Sequence, residues 1–253
     1  MSIPTSVGRP LTGCRIAIAD DPSAGTAHGA VASPTPVDVG ALLAAAGAEV
    51  VRVPSVRADH SVPAGVRRSV HRVATGRIDG VLLFSVEGAR SWWGTVERLG
   101  LGDAIRARAR ASRLLLVASG AEAARSLADA DIPAKTVDGA LPDDLARAVV
   151  GFFSEQAPMQ RTDAGELVVR SGGVLLDERF LPLSAGAAEV LEALFLAEGR
   201  VLSREELGRM LAGRRRSARA VEVAVARLRE ALGDAELVQT VVKRGYRLAV
   251  ADR

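Results

Sequence analysis

The sequence predicts an α/β domain built on a parallel five-stranded sheet, followed by a smaller α+β domain. Three observations carry this. Apolar runs of four or five residues alternate with helical patterns from residue 14 to residue 153. The texture then changes to short strand pairs around turn residues, and three helical patterns and a final hairpin close the chain. A length of 253 residues also favours two modest domains over one large one.

Five runs have the character of buried strands: 15–19, 49–53, 80–84, 114–118 and, more weakly, 134–137. They are β-branched or leucine-rich, are bounded by turn residues, and leave room between them for crossover helices. The helical patterns cover 36–46, 64–75, 88–99, 121–130 and 142–153. In the last, Pro142, Asp143 and Asp144 stand where a helix N-terminus accepts proline and favours acids. Strands apolar on both faces, alternating with helices, imply a parallel sheet covered on both sides. Residues 21–36, rich in Pro, Gly, Ser and Ala, are expected to form a long loop.

The segment SEQAPMQRTD (154–163) breaks the pattern. The expected division is a first domain over 1–156, a linker over 157–164 and a second domain over 165–253. In the second, strands are expected at 166–170, 174–177 and 180–183, helices at 185–197, 203–211 and 218–232, and a hairpin over 237–250 turning at Lys243-Arg244-Gly245.

Composition narrows the function classes. One cysteine, Cys14, precludes an intramolecular disulfide framework and favours a reducing cytoplasm. No basic stretch followed by an apolar run marks the first residues as a secretory signal, and no apolar run is long enough to span a bilayer. His28, His60 and His71 are scattered without metal-ligand spacing, so neither a metal nor another cofactor is expected. The net charge is only +3, but residues 199–247 hold 12 Lys and Arg against 6 Asp and Glu, so the rest of the chain is net acidic.

The pattern RAVEVAVARLREALG (219–233) is the most informative in the chain. Val221, Val225, Leu228 and Leu232 recur at helical spacing and form a core stripe. Arg219, Val223, Ala226, Arg227 and Glu230 fall opposite, with Glu222 and Arg229 at the edges. A helix that shows arginines among small residues can lie close in a DNA major groove, where Arg pairs bidentately with guanine and small side chains meet base edges. Arg214, Arg215 and Arg216 precede this helix and Lys243 and Arg244 lie at the hairpin turn, positions suited to phosphates.

The stretches GRVLSREELGRML (199–211), RAVEVAVARLREALG (219–233) and LVQTVVKRGYRL (237–248) resemble, in order, the OmpR/PhoB-type winged-helix effector domain. The resemblance implies groove-facing roles for Arg219, Val223, Ala226 and Arg227, and wing positions for Lys243, Arg244 and Tyr246. Four earlier stretches resemble uroporphyrinogen-III synthase: ALLAAAGAEVVRVPSVR (41–57), ATGRIDGVLLFSVEGAR (74–90), LLLVASGAEAARSLADADIPAKTV (114–137) and LPDDLARAVV (141–150). That enzyme has two lobes around a cleft, whereas five strands supply one. The implied fold is a flavodoxin-like single lobe without synthase activity. Ser85, Glu87 and Gly88 after the third strand, and Ser119 and Gly120 after the fourth, become candidate ligand-binding residues, because both turns open helices whose free N–H groups favour anions. The first domain is also similar to a phosphoacceptor receiver, with Asp20-Asp21 as its acidic pair and Lys135 as its lysine. Phe84-Ser85 stands where the phosphoacceptor aspartate would be, which implies a pseudo-receiver.

The resulting expectation is a cytoplasmic transcriptional regulator of double-stranded DNA. Its first domain would serve homodimerisation or bind a small-molecule effector, and RNA polymerase is a further possible partner. The alternatives are a synthase-like enzyme with a DNA-binding tail and an atypical response regulator.

Overall fold

The structure is a computed structural model that describes residues 9–19, 36–53, 64–137, 141–211, 217–233 and 236–251. The chain divides into two compact units, Met1–Ala157 and Pro158–Arg253.

Unit 1 holds five parallel strands: β1 (Arg15–Ala19), β2 (Glu49–Val53), β3 (Gly80–Leu83), β4 (Leu115–Ser119) and β5 (Lys135–Val137). Their order is β2-β1-β3-β4-β5, with Ile16 opposite Val50 on one side and Gly80 on the other. This is the flavodoxin-like order, and it is also receiver-like. Strand pleating sends alternate side chains to opposite faces. Ala17, Val81, Leu83, Leu116 and Ala118 enter one core, while Ile16, Leu82, Leu115 and Val117 enter another. The second core is covered by α1 (Pro36–Ala45) and α6 (Pro142–Glu155), whose Leu145, Val149, Phe152 and Phe153 are buried. The first lies under α2 (Ala64–Ala74), α3 (Val86–Arg98), α4 (Gly102–Arg110) and α5 (Ala121–Ala128).

Helix α4 has no counterpart in the sequence expectation. Only Gly102, Ile105 and Ala109 are buried along GDAIRARAR, too few to make an apolar stripe legible. Contacts with neighbouring segments hold it instead. Arg106 reaches Glu97 at 2.9 Å and Asp103 at 3.1 Å, donates to the Ala130 carbonyl, and lies 4.9 Å from the Trp93 ring centre. The adjacent tryptophans divide their roles, with Trp92 buried in the core and Trp93 half-buried beneath Arg106.

Unit 2 opens on β6 (Met159–Thr162), and this corrects the expected linker over 157–164. A polar MQRT segment carries no strand alternation, yet β6 pairs antiparallel with β7 (Gly165–Arg170), Met159 facing Val168. Gly165, at φ +127, and the Thr162 hydroxyl donating to the Gly165 carbonyl close that hairpin. Strands β8 (Gly173–Leu176) and β9 (Arg179–Pro182) complete a four-stranded sheet. Helices α7 (Ala185–Leu196), α8 (Arg204–Met210) and α9 (Ala218–Leu232) follow, and then the hairpin of β10 (Val238–Val241) and β11 (Gly245–Leu248). One core joins these elements through Val190, Leu194, Leu207, Val221, Leu228 and Leu248.

Helix α8 starts on a full capping box. The Ser203 hydroxyl accepts from the Glu206 N–H, and the Glu206 carboxylate accepts from the Ser203 N–H at 2.8 Å. That backbone N–H holds the Glu206 carboxyl below its usual pKa, assisted by the Ser203 side chain and by Arg200. A depressed folded pKa stabilises the fold above the unfolded carboxylate range and is lost as pH falls through the folded value. Ser203→Ala is therefore expected to cost about 1 kcal/mol at neutral pH. Glu206→Gln is expected to flatten the acid side of a stability-against-pH profile; parallel acid limbs for wild type and variant would refute the assignment.

Candidate nucleic-acid interface

Helix α9 runs from a Ser217 cap, whose hydroxyl accepts from the Ala220 N–H, to Gly233 at φ +66. These are the signals that start and stop a helix by satisfying its terminal backbone groups or turning the chain away. Val221, Ala224, Val225, Leu228 and Leu232 are buried, so the helix is anchored along one side. Arg219, Val223, Ala226, Arg227 and Glu230 are all exposed on the other, Val223 by 46%.

The basic side chains divide into two sets. Arg229 donates twice to the Val238 carbonyl and once to the Thr240 hydroxyl, which ties α9 to the hairpin. Arg204 of α8 pairs with Glu222 of α9 at 2.7 Å, and that hydrogen bond raises the guanidinium pKa above its usual value. By contrast, Arg219 and Arg227 enter no ion pair with the described residues and lie on the exposed face. Of these four, two are committed to the fold and two are exposed with no ion pair among the described residues.

At the hairpin turn Val242, Lys243 and Arg244 are exposed, Val242 by 77%. Lys243 takes φ +60, and the Arg244 N–H donates to the Val241 carbonyl. Tyr246 was expected among the DNA contacts of the wing, and its placement is a correction: the residue is only 5% exposed. Its ring lies 5.3 Å from the Arg204 guanidinium and 5.8 Å from that of Arg229, and its backbone bonds reciprocally with Leu202. The wing therefore holds its tyrosine inward as a stacking platform for the two committed arginines. Arg214, Arg215 and Arg216 lie outside the described residues.

The candidate ligand residues of unit 1 stand at the ends of neighbouring strands, since β3 and β4 pair with Leu83 opposite Ala118. Ser85 is the N-cap of α3 and its hydroxyl accepts from the Gly88 N–H at 3.0 Å. The Gly120 N–H donates to the Val137 carbonyl, with Gly120 at φ +88. Glu87 is exposed, Gly88 is buried and Ser119 is half-buried. The Ser85 hydroxyl and the Gly88 and Gly120 N–H groups are thus already used by the fold. Phe84, at the position expected for a phosphoacceptor, packs against the core that includes Leu82 and Val117. Asp20, Asp21, His28 and His60 lie outside the described residues, and His71 is exposed on α2. Among the described residues, no helix is long and apolar enough to cross a membrane.

The family model described as "Transcriptional regulatory protein, C terminal" matches residues 177–248. Among solved structures, the response regulator DrrB of Thermotoga maritima, an OmpR/PhoB homolog, is 16% identical over 93% of this chain and 99% of its own, with a TM-score of 0.33. The RstA DNA-binding domain of Klebsiella pneumoniae, solved with an RstA box, is 26% identical over 36% of this chain and 96% of its own, with a TM-score of 0.31. The DNA-binding domain of CpxR from E. coli is 27% identical over 36% and 95%, with a TM-score of 0.31. Among curated proteins none matches the chain. A helix anchored on one side and basic on the other, a basic hairpin beside it, and the family match across both make this chain a DNA-binding transcriptional regulator with an OmpR/PhoB-type winged helix.

Proposed function

We propose that the protein recognises operator DNA by laying the exposed face of α9 in the major groove. Arg219 and Arg227 would donate to guanine edges, and Val223 and Ala226 would allow close approach and meet thymine methyls. Lys243 and Arg244 would bind phosphates at the wing, as would Arg214, Arg215 and Arg216 ahead of α9. The observation that carries this is the separation of arginines on and around α9: Arg204 and Arg229 are engaged within the unit, and Arg219 and Arg227 are exposed with no ion pair among the described residues.

Unit 1 is proposed to act by homodimerisation or by binding a small effector beside Ser85, Glu87, Gly88, Ser119 and Gly120, with RNA polymerase as a further partner and the cytoplasm as its compartment. A regulatory rather than catalytic role is supported by its single five-stranded sheet, since the synthase that its sequence resembles encloses substrate between two lobes. A pseudo-receiver origin is favoured by one observation: Phe84 and the capping Ser85 follow β3, and neither offers a carboxylate.

Selecting bound sequences from a random duplex pool with the full chain tests both parts. The expected result is one consensus, present as two half-sites about 10 base pairs apart, the spacing a dimer with one helix per groove requires. Recovery of no consensus would sink groove reading, and a single half-site would sink the dimer.

A further inference from the structure

Helix α2 has the same pattern as α9, but in unit 1. Val66, Ser69, Val70 and Val73 are buried along one side. Arg67, Arg68 and His71 are exposed and Arg72 is half-exposed. At 100° per residue these four span the side opposite the buried stripe, and the helix AGVRRSVHRVA contains no acid. The ion pairs of unit 1 engage Arg15, Arg106, Arg110 and Arg147, and among the described residues none joins a side chain of α2.

This arrangement is unfavourable for an isolated surface helix. Arg68 and Arg72 are spaced i,i+4, as are Arg67 and His71, so like charges become neighbours, each pair costing a few tenths of a kcal/mol where both members are charged. Arg67 and Arg68 stand near the N-terminal end, where the helix dipole favours anions. His71 and Arg72 in the last turn are favoured by the dipole but offset only part of this. A polyanion laid along the face would offset these unfavourable terms by attracting each cation. Duplex DNA carries about one charge per 1.7 Å of axis, and unit 2 already holds it at high local concentration because the two units are one chain.

We propose that the Arg67–Arg68–Arg72 face of α2 is a second, sequence-independent DNA contact that binds the sugar–phosphate backbone flanking the operator. The inference rests on DNA binding by unit 2, but it does not depend on which residues of α9 read bases. Released counterions are its signature, since each neutralised phosphate contributes about 0.9 to the slope of log affinity against log salt.

The test uses the full chain and two duplexes carrying a selected site, one of about 20 base pairs and one of about 60 with mixed-sequence flanks, at salt from about 50 to 200 mM. The triple variant Arg67→Gln/Arg68→Gln/Arg72→Gln is expected to bind the short duplex like wild type. On the long duplex its salt slope should be shallower by about 2–3, so that wild type loses about 40-fold more affinity than the variant across that range. Replacing the same three residues with Lys should restore the slope, which separates lost charge from a damaged helix. Equal slopes for wild type and the Gln variant on the long duplex would overturn the proposal. So would wild-type DNA binding combined with lost transcriptional output, which would assign the face to an acidic protein. If wild type itself shows no site preference, the groove-reading proposal fails instead, an outcome visible before α2 is altered.

Discussion

Arg227→Ala is expected to lower affinity for the selected operator about 10- to 100-fold, a loss of about 1–3 kcal/mol, while affinity for random duplex falls only a few-fold. The asymmetry follows from position. Arg227 is exposed on the same side of α9 as Val223 and Ala226, whose short side chains let the helix axis approach base edges. A guanidinium held there donates two parallel hydrogen bonds to guanine, and alanine leaves those acceptors to water. A phosphate contact would behave otherwise, lowering both affinities together and making the salt slope shallower by about 1. Equal losses on operator and random duplex would therefore remove Arg227 from the base-reading set. Arg229→Ala, two residues along, serves as the contrast. Its guanidinium bonds the Val238 carbonyl and the Thr240 hydroxyl, so its removal should loosen the wing and leave base preference intact.

Gly245→Ala is expected to destabilise the protein by about 3–4 kcal/mol and to abolish operator binding. Gly245 takes φ +140, a conformation that side chains resist, and a Cβ there would stand 2.0 Å from the Leu202 carbonyl oxygen. The obstacle is backbone rather than a pliable side chain. It is also fixed, because the Leu202 N–H donates to the Tyr246 carbonyl at 2.8 Å and the Tyr246 N–H to the Leu202 carbonyl at 2.9 Å. Relieving the clash means separating β11 from the residue that precedes the α8 cap. That would break both bonds and lift Tyr246 from beneath Arg204 and Arg229. Urea unfolding followed by circular dichroism measures the loss. Both tryptophans lie in unit 1, so their fluorescence gives an internal reference. A shift below about 1 kcal/mol would show that the hairpin can move aside at little cost.

Much of the architecture was legible because it rests on periodicity. The expected bounds of α9 coincide with those observed, since a Ser cap, a 3.6-residue apolar repeat and a terminal Gly are all local signals. The β1 and β2 spans also coincide, because apolar strands bounded by turns need no distant information to be recognised. Helix α3 begins two residues earlier than its apolar pattern, where Ser85 caps it. Strand β6 and helix α4 were not legible. Each is held by partners outside its own segment: Val168 and Leu167 across the hairpin for β6, and Glu97 and Ala130 for Arg106 of α4.

The candidate site shows the same division. Which residues of α9 point outward follows from spacing alone, and so does the concentration of positive charge between residues 199 and 247. The role of each arginine does not follow from spacing. Arg204, Arg219, Arg227 and Arg229 carry the same charge in the sequence, and only the packing of α8, α9 and the hairpin engages the first and last with Glu222, Val238 and Thr240. Tyr246 is the sharpest case, a polar aromatic in a basic hairpin that reads locally as a surface contact. Its burial depends on Leu202, 44 positions earlier in the chain, because a hydrogen-bonded pairing is set by where two segments meet in space rather than by either segment's own pattern.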